Sequence, residues 1–101
     1  MTDIIISPEA KIDLTDCYEY LAQNYPNLAL RFFDAARTTF AELARYPESG
    51  APYGLSSRPE LRKWRVKGFP KYLILYLPQE NAIEIVRILH GAQDLDRILN
   101  S

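Results

Sequence analysis

Apolar residues recur along this chain with two different periods, and the change between them divides it. Ala10, Leu14, Cys17, Leu21 and Tyr25 fall three and four apart, the spacing that lines one face of an α-helix. Lys11, Asp13, Asp16 and Glu19 occupy the opposite side and are expected to face solvent. A second stripe follows in Ala29, Phe33, Ala36, Phe40 and Leu43, widened by Phe32 and Ala44, with Arg31, Asp34, Arg37 and Glu42 left outward. Ser7, Pro8 and Glu9 supply an N-cap, a first-turn proline and a first-turn acid for the first helix. Pro26 pushes the residue before it out of the α region, so that helix should stop near Asn24, and Asn27 stands ready to cap the second. Helices joined this tightly form an antiparallel hairpin.

From Leu61 the period shortens. Leu61 to Val66, Lys71 to Leu77 and Ala82 to His90 are short runs rich in β-branched, aromatic and Leu residues, which read as three strands. Gly68 and Pro70 punctuate the first junction, and Pro78, Glu80 and Asn81 the second. Connections of a few residues suit antiparallel hairpins. A three-stranded meander is therefore predicted, joined by an N-terminal strand at Asp3 to Ser7, where Ile4, Ile5 and Ile6 stand together. The expected class is α+β: strand, helical hairpin, then meander, with the hairpin on one face of an antiparallel sheet. Ala51 to Pro59 shows no clear period and is read as a loop crossing to the sheet; Ala92 to Leu99 is read as a short helix or turn.

The middle strand, Tyr72 to Leu77, is apolar at every position, so both of its faces need cover. Two helices cover one. The other face, with Leu or Ile side chains of the middle strand and Arg87 of the last, is expected to be open and to call for a partner, either a second copy or a different protein.

Composition narrows the class without changing the fold. One hundred and one residues fit a single domain, 1–101, and 48% hydrophobic with 25% charged residues is a soluble globular balance. No apolar run approaches the roughly 18 to 20 residues needed to span a bilayer, and no signal peptide is recognisable, so a cytoplasmic location away from membranes is expected. Cys17 is the sole cysteine, read as a small buried apolar residue. Charge is the sharper signal. Arg58, Arg62, Lys63, Arg65, Lys67 and Lys71 stand against Glu60 alone between residues 58 and 71, a local charge of +5 in a chain whose total is −1. Lys63 and Arg65 share a strand face and Trp64 lies on the other, a basic surface suited to phosphates or to an acidic protein segment.

Candidate chemistry is sparse. There is no Gly-rich phosphate loop, HExxH, CxxC pair or Gly-x-Ser-x-Gly, so neither a metal nor a cofactor is expected. His90 is the only histidine and the one general acid or base candidate, and no partner is fixed beside it by spacing.

Ser7-Pro8-Glu9-Ala10, Pro47-Glu48-Ser49-Gly50, Trp64 to Phe69, Tyr72 to Tyr76, and Val86 to Gly91 followed by Asp94 form an ordered set that resembles the ParE/RelE superfamily of type II toxins, leaning toward its ParE branch. The resemblance covers nearly the whole chain. It implies a toxin neutralised by a cognate ParD-like antitoxin in a hetero-oligomer. The antitoxin's acidic, amphipathic segment would lie on Leu73 and Leu75 with its carboxylates near Lys63, Arg65 and Arg87. RelE-like members cleave mRNA in the ribosomal A site with dispersed basic residues and a C-terminal tyrosine, whereas ParE-like members inhibit DNA gyrase. Lys63 and Arg65 match basic positions of the RelE-like strand; Leu73 stands where that group has an arginine, and Ala92 and Ile98 where it has a late arginine and tyrosine. The resemblance therefore implies a gyrase-binding inhibitor without catalytic residues and without sequence-specific nucleic-acid binding of its own. The alternatives are a ribosome-dependent mRNA endoribonuclease and a non-toxic interaction module. Trp64, His90 and Asp94 are secondary candidates.

Overall fold

A computed structural model describes residues 2–53 and 58–91. In chain order its elements are β1 (Asp3–Ile6), α1 (Pro8–Ala22), α2 (Pro26–Arg45), β2 (Ala51–Pro52), β3 (Arg62–Val66), β4 (Phe69–Pro78) and β5 (Ala82–His90). The expected α+β arrangement is present. Asp94 and the expected turn or helix from Ala92 to Leu99 lie outside the described residues.

Ser7 starts α1 as anticipated. Its Oγ accepts the Ala10 N–H at 3.0 Å and donates to the Val86 carbonyl at 2.8 Å, so the cap also fastens the helix to the sheet. The junction between the helices differs in detail. Tyr25, expected on the buried stripe of α1, is 64% exposed and precedes α2, which opens on Pro26 with no side-chain cap; Asn27 does not serve as one. The stripe of α2 is also rotated by one residue. Phe32 is wholly buried with Ala29, Ala36, Phe40 and Leu43, while Phe33 is 37% exposed and meets Tyr18 edge-on at 6.4 Å. Adjacent phenylalanines fit the same spacing equally well; contact with Phe69 and Tyr72, at ring distances of 5.3 and 4.8 Å, goes to Phe32.

The sheet has five strands in the order β1-β5-β4-β3-β2. β3, β4 and β5 form the meander, but β1 runs parallel to β5, so the sheet is mixed rather than antiparallel. β1 reaches β5 only after the chain has passed through both helices and the meander, and no tight turn dictates its direction. β2 comes from the stretch expected to be a loop: Ala51 and Pro52 pair with Lys63 and Arg62. Two residues are too few for a periodic signal.

Alternation along β4 splits the interior in two. Tyr72, Ile74 and Tyr76 join the helices, Ile83, Ile85 and Ile88 in the main core. On the other face Leu61, Leu75, Val86 and Leu89 are buried together, with Tyr53, Leu73 and Leu77 packed around them. That second face is thus not the open apolar surface expected; Leu75 is wholly buried. Between Leu75 and Tyr76 the register with β5 moves from Arg87 to Ile85, leaving Val86 as an extra residue, a bulge that locally redirects side chains. No helix among the described residues is long and apolar enough to cross a membrane.

Candidate functional site: a basic sheet face

β3 carries the basic cluster, and its pairing with β4 fixes which way each side chain points. Lys63 is opposite Leu75 and Arg65 opposite Leu73, so both cations stand on the face away from the helices. Trp64 is opposite Ile74 on the helix side, 40% exposed. A groove of about 1180 Å³ follows this strand and the β3–β4 hairpin, bordered by Tyr53, Lys63, Arg65, Pro70, Lys71 and Leu73 and ending against His90 and Gly91.

The cations differ in what holds them. Lys63 Nζ lies 5.7 Å from the Tyr53 ring centroid, within cation–π range. Arg65 Nη1 donates to the Pro70 carbonyl at 2.6 Å. That carbonyl belongs to a stretch of β4 that loops out, because Arg65 pairs with Leu73 while Val66 already pairs with Phe69. Arg62, on the helix side, donates Nη1 to the carbonyls of Gly50 at 2.6 Å and Glu48 at 3.2 Å. None of these partners carries charge. Lys67 and Arg87 are instead paired with carboxylates, Lys67 with Glu42 at 3.3 Å and Arg87 with Asp13 at 2.7 Å.

Arg87 is therefore not placed with Lys63 and Arg65 as expected. Asp13 of α1 takes its Nε and Nη2 in a bidentate pair, at 2.7 and 3.0 Å, and also accepts the Ile88 N–H at 3.0 Å. The hydrogen bond to Asp13 pushes the Arg87 guanidinium above its usual range, against an opposing effect of burial. Asp13, assigned to the solvated side of α1, is the residue that binds β5 where β1 no longer covers its edge. Of the expected partner-binding set, Lys63, Arg65 and Leu73 come together at the groove, whereas Leu75 is buried beneath it and Arg87 is held by α1.

His90 on β5 and Arg65 on β3 border the same groove with β4 between their strands. His90 pairs with Tyr72, whose ring it meets edge-on at 5.1 Å, and Tyr72 belongs to the helix-side core. Among the described residues, no cluster of His, Cys, Asp and Glu is suited to a metal ion.

One polar assembly escaped the reading of the sequence. The wholly buried Tyr76 donates its hydroxyl to the Pro47 carbonyl at 2.7 Å and accepts the Gly50 N–H at 2.8 Å. Burial raises the phenol pKa and the Gly50 N–H partly counters it. A Cβ on Gly50 would lie 2.5 Å from the Tyr76 oxygen and 2.8 Å from the Lys63 carbonyl, so glycine is needed there. The Pro-x-x-Gly turn was the visible half of this clamp, and its tyrosine, 26 residues on, looked like one more apolar strand position.

A helical hairpin on a mixed sheet with a basic face agrees with the resemblance to type II toxins, and the comparisons with known proteins establish it. Residues 4–95 match the family described as ParE toxin of type II toxin-antitoxin system, parDE, and the chain belongs to that family within the ParE/RelE superfamily. It is 32% identical over 93 residues to Toxin RelE2 of Caulobacter vibrioides, covering 92% of this chain and 99% of that one. Its fold matches a chain of the chromosomal ParDE TA system from P. aeruginosa with a TM-score of 0.73 at 19% identity, covering 89% of this chain and 96% of the other.

Proposed function

We propose that this toxin acts by binding DNA gyrase and is neutralised by a ParD-like antitoxin, with which it forms a hetero-oligomer. The antitoxin's acidic segment lies along the groove of Lys63, Arg65, Lys71 and Leu73. The observation that carries the second half is the division of the cations: among the described residues Lys63, Arg65 and Lys71 have no carboxylate partner, while Arg87 and Lys67 do. Charges left uncompensated beside a groove with Tyr53 and Leu73 suit carboxylates alternating with apolar side chains. A segment disordered until it binds would supply both.

The first half is supported by Leu73 on β4, between Arg65 and His90 on the flanking strands, where a ribonuclease of this superfamily would need a basic residue beside the phosphate. The match to a relative named Toxin RelE2 favours a second reading, ribosome-dependent mRNA cleavage. One pair of assays separates them: supercoiling and DNA cleavage by purified gyrase, and mRNA degradation on ribosomes, each with added protein. Inhibited gyrase with intact mRNA is expected; mRNA cuts that vanish in Arg65→Ala or His90→Ala, with gyrase untouched, would overturn the choice. For the antitoxin, co-purification with the product of a neighbouring short gene should be lost in Lys63→Glu with Arg65→Glu and retained in Arg87→Met.

A further inference from the structure

The buried stripe of α2 contains one hydroxyl. Thr39 is wholly buried, donating its Oγ1 to the Ala35 carbonyl at 2.7 Å and accepting the Lys67 N–H at 3.1 Å. Valine has nearly the same shape and would fill the volume, and a threonine that bonds back to its own helix gains that helix little. What only the hydroxyl can do is receive the Lys67 N–H. Lys67 and Gly68 are the two-residue turn between paired Val66 and Phe69, with Gly68 at φ 79°, a conformation glycine adopts without strain. The other polar tie of this turn to α2, Lys67 with Glu42, has side chains 69% and 47% exposed, and a pair so placed contributes little. Arg65 lies two residues before the turn and Pro70, whose carbonyl orients its guanidinium, two residues after it. Movement of the turn would change the distance between them.

We infer that Thr39 is a positioning residue for the basic face: its hydroxyl locks the hairpin turn to α2, and the lock keeps Arg65 aimed across the groove. This role rests on the reading that the face receives an acidic segment. The probe is a fluorescein-labelled synthetic peptide of alternating Glu and Leu, its affinity measured by anisotropy, alongside hydrogen exchange of the Lys67 amide. Thr39→Val keeps the packing and removes the acceptor. It should unprotect the Lys67 amide and weaken peptide binding by about three- to tenfold, the equivalent of one ordinary net hydrogen bond. Thr39→Ser loses a methyl and some stability but keeps the acceptor, and should restore both protection and affinity. A purely structural role would rank the variants by stability, with serine the worse binder. Wild-type affinity in Thr39→Val, or serine behaving like valine, overturns the role. Wild-type protein that does not bind the peptide overturns the acidic-segment reading itself, and this role with it.

Discussion

Removing the Asp13 carboxylate tests how α1 is held to the sheet. Asp13→Ala deletes two hydrogen bonds to Arg87 and one from the Ile88 N–H, and leaves that N–H and a guanidinium without their acceptor. Breaking a fully buried pair costs about 3 to 5 kcal/mol and an exposed one about 0 to 1 kcal/mol. The side chains of Arg87 and Asp13 are 25% and 11% exposed, so the released guanidinium can turn partly to water while the N–H cannot follow it. A loss of about 2 to 3 kcal/mol is expected, most of it the desolvation of unpaired groups. Asp13→Asn, which retains an acceptor for Ile88 but not the charge, should lose about half of that. Urea denaturation measures the loss, with hydrogen exchange at the Ile88 amide as the local reporter. The internal control is Asp16→Ala, three residues on and exposed, expected within about 0.5 kcal/mol of wild type. Equal midpoints for the Asp13 and Asp16 alanine variants would refute the assignment of Asp13 as the tie to β5.

Gly50→Ala and Tyr76→Phe should each destabilise the Pro47–Gly50 turn, the first by steric overlap with Tyr76 and Lys63, the second by about 1 to 3 kcal/mol for two buried backbone groups left unpaired; denaturant melts compare them. Phe40→Ala, at a site 2% exposed, should cost about 3 to 5 kcal/mol in the same measurement, and Phe33→Ala, on the rotated side of the stripe, less than about half of that. Burial, then Asp13 and Asp16, push the Cys17 thiol from its ordinary 9.0 up to about 11, so the folded state holds this proton more tightly than the unfolded chain does. Its contribution is complete below pH 9 and is lost between pH 9 and 11; thermal melts across that range should fall more steeply for wild type than for Cys17→Ala.

Period and punctuation carried the architecture. Ser7-Pro8 sets the start of α1, Pro26 ends the first helical run, and Gly68 and Asn81 mark the reversals of the meander, because each acts through its own backbone and needs no distant partner. What was not legible depends on residues far apart. Asp13 and Asp16 are the same side chain one helical turn apart, and only the position of Arg87 and Ile88, 74 and 75 residues downstream, makes one a fold contact and the other a solvated acid. Arg87 was misplaced for the same reason. It does pair with Leu75, next to the bulge at Val86, but its side chain goes to Asp13 of α1, which no alternation along β5 reveals. Phe32 and Phe33 satisfy the same helical spacing, and the choice fell to the aromatic pocket of Phe69 and Tyr72. At the candidate site, the strand faces of Lys63, Arg65 and Trp64 follow from alternation alone, whereas the placement of His90 at the end of the groove follows from the register of β5 with Tyr72.

The anchoring of the basic residues bears on why this face suits a charged partner. An arginine whose fork is filled by a carboxylate has little net charge to offer, and a partner must displace that carboxylate first. One held by a carbonyl keeps its full charge and has already lost much of the side-chain freedom that binding would otherwise cost, about 0.5 to 1.5 kcal/mol per long side chain. Arg65 on Pro70 and Lys63 over Tyr53 are of the second kind, and both border the groove. Arg87, the most thoroughly paired cation described, is withdrawn under α1. The same residue type thus serves the fold where an acid meets it and remains available for recognition where only neutral groups do. The second set, rather than total charge, fixes where an acidic segment gains most by docking.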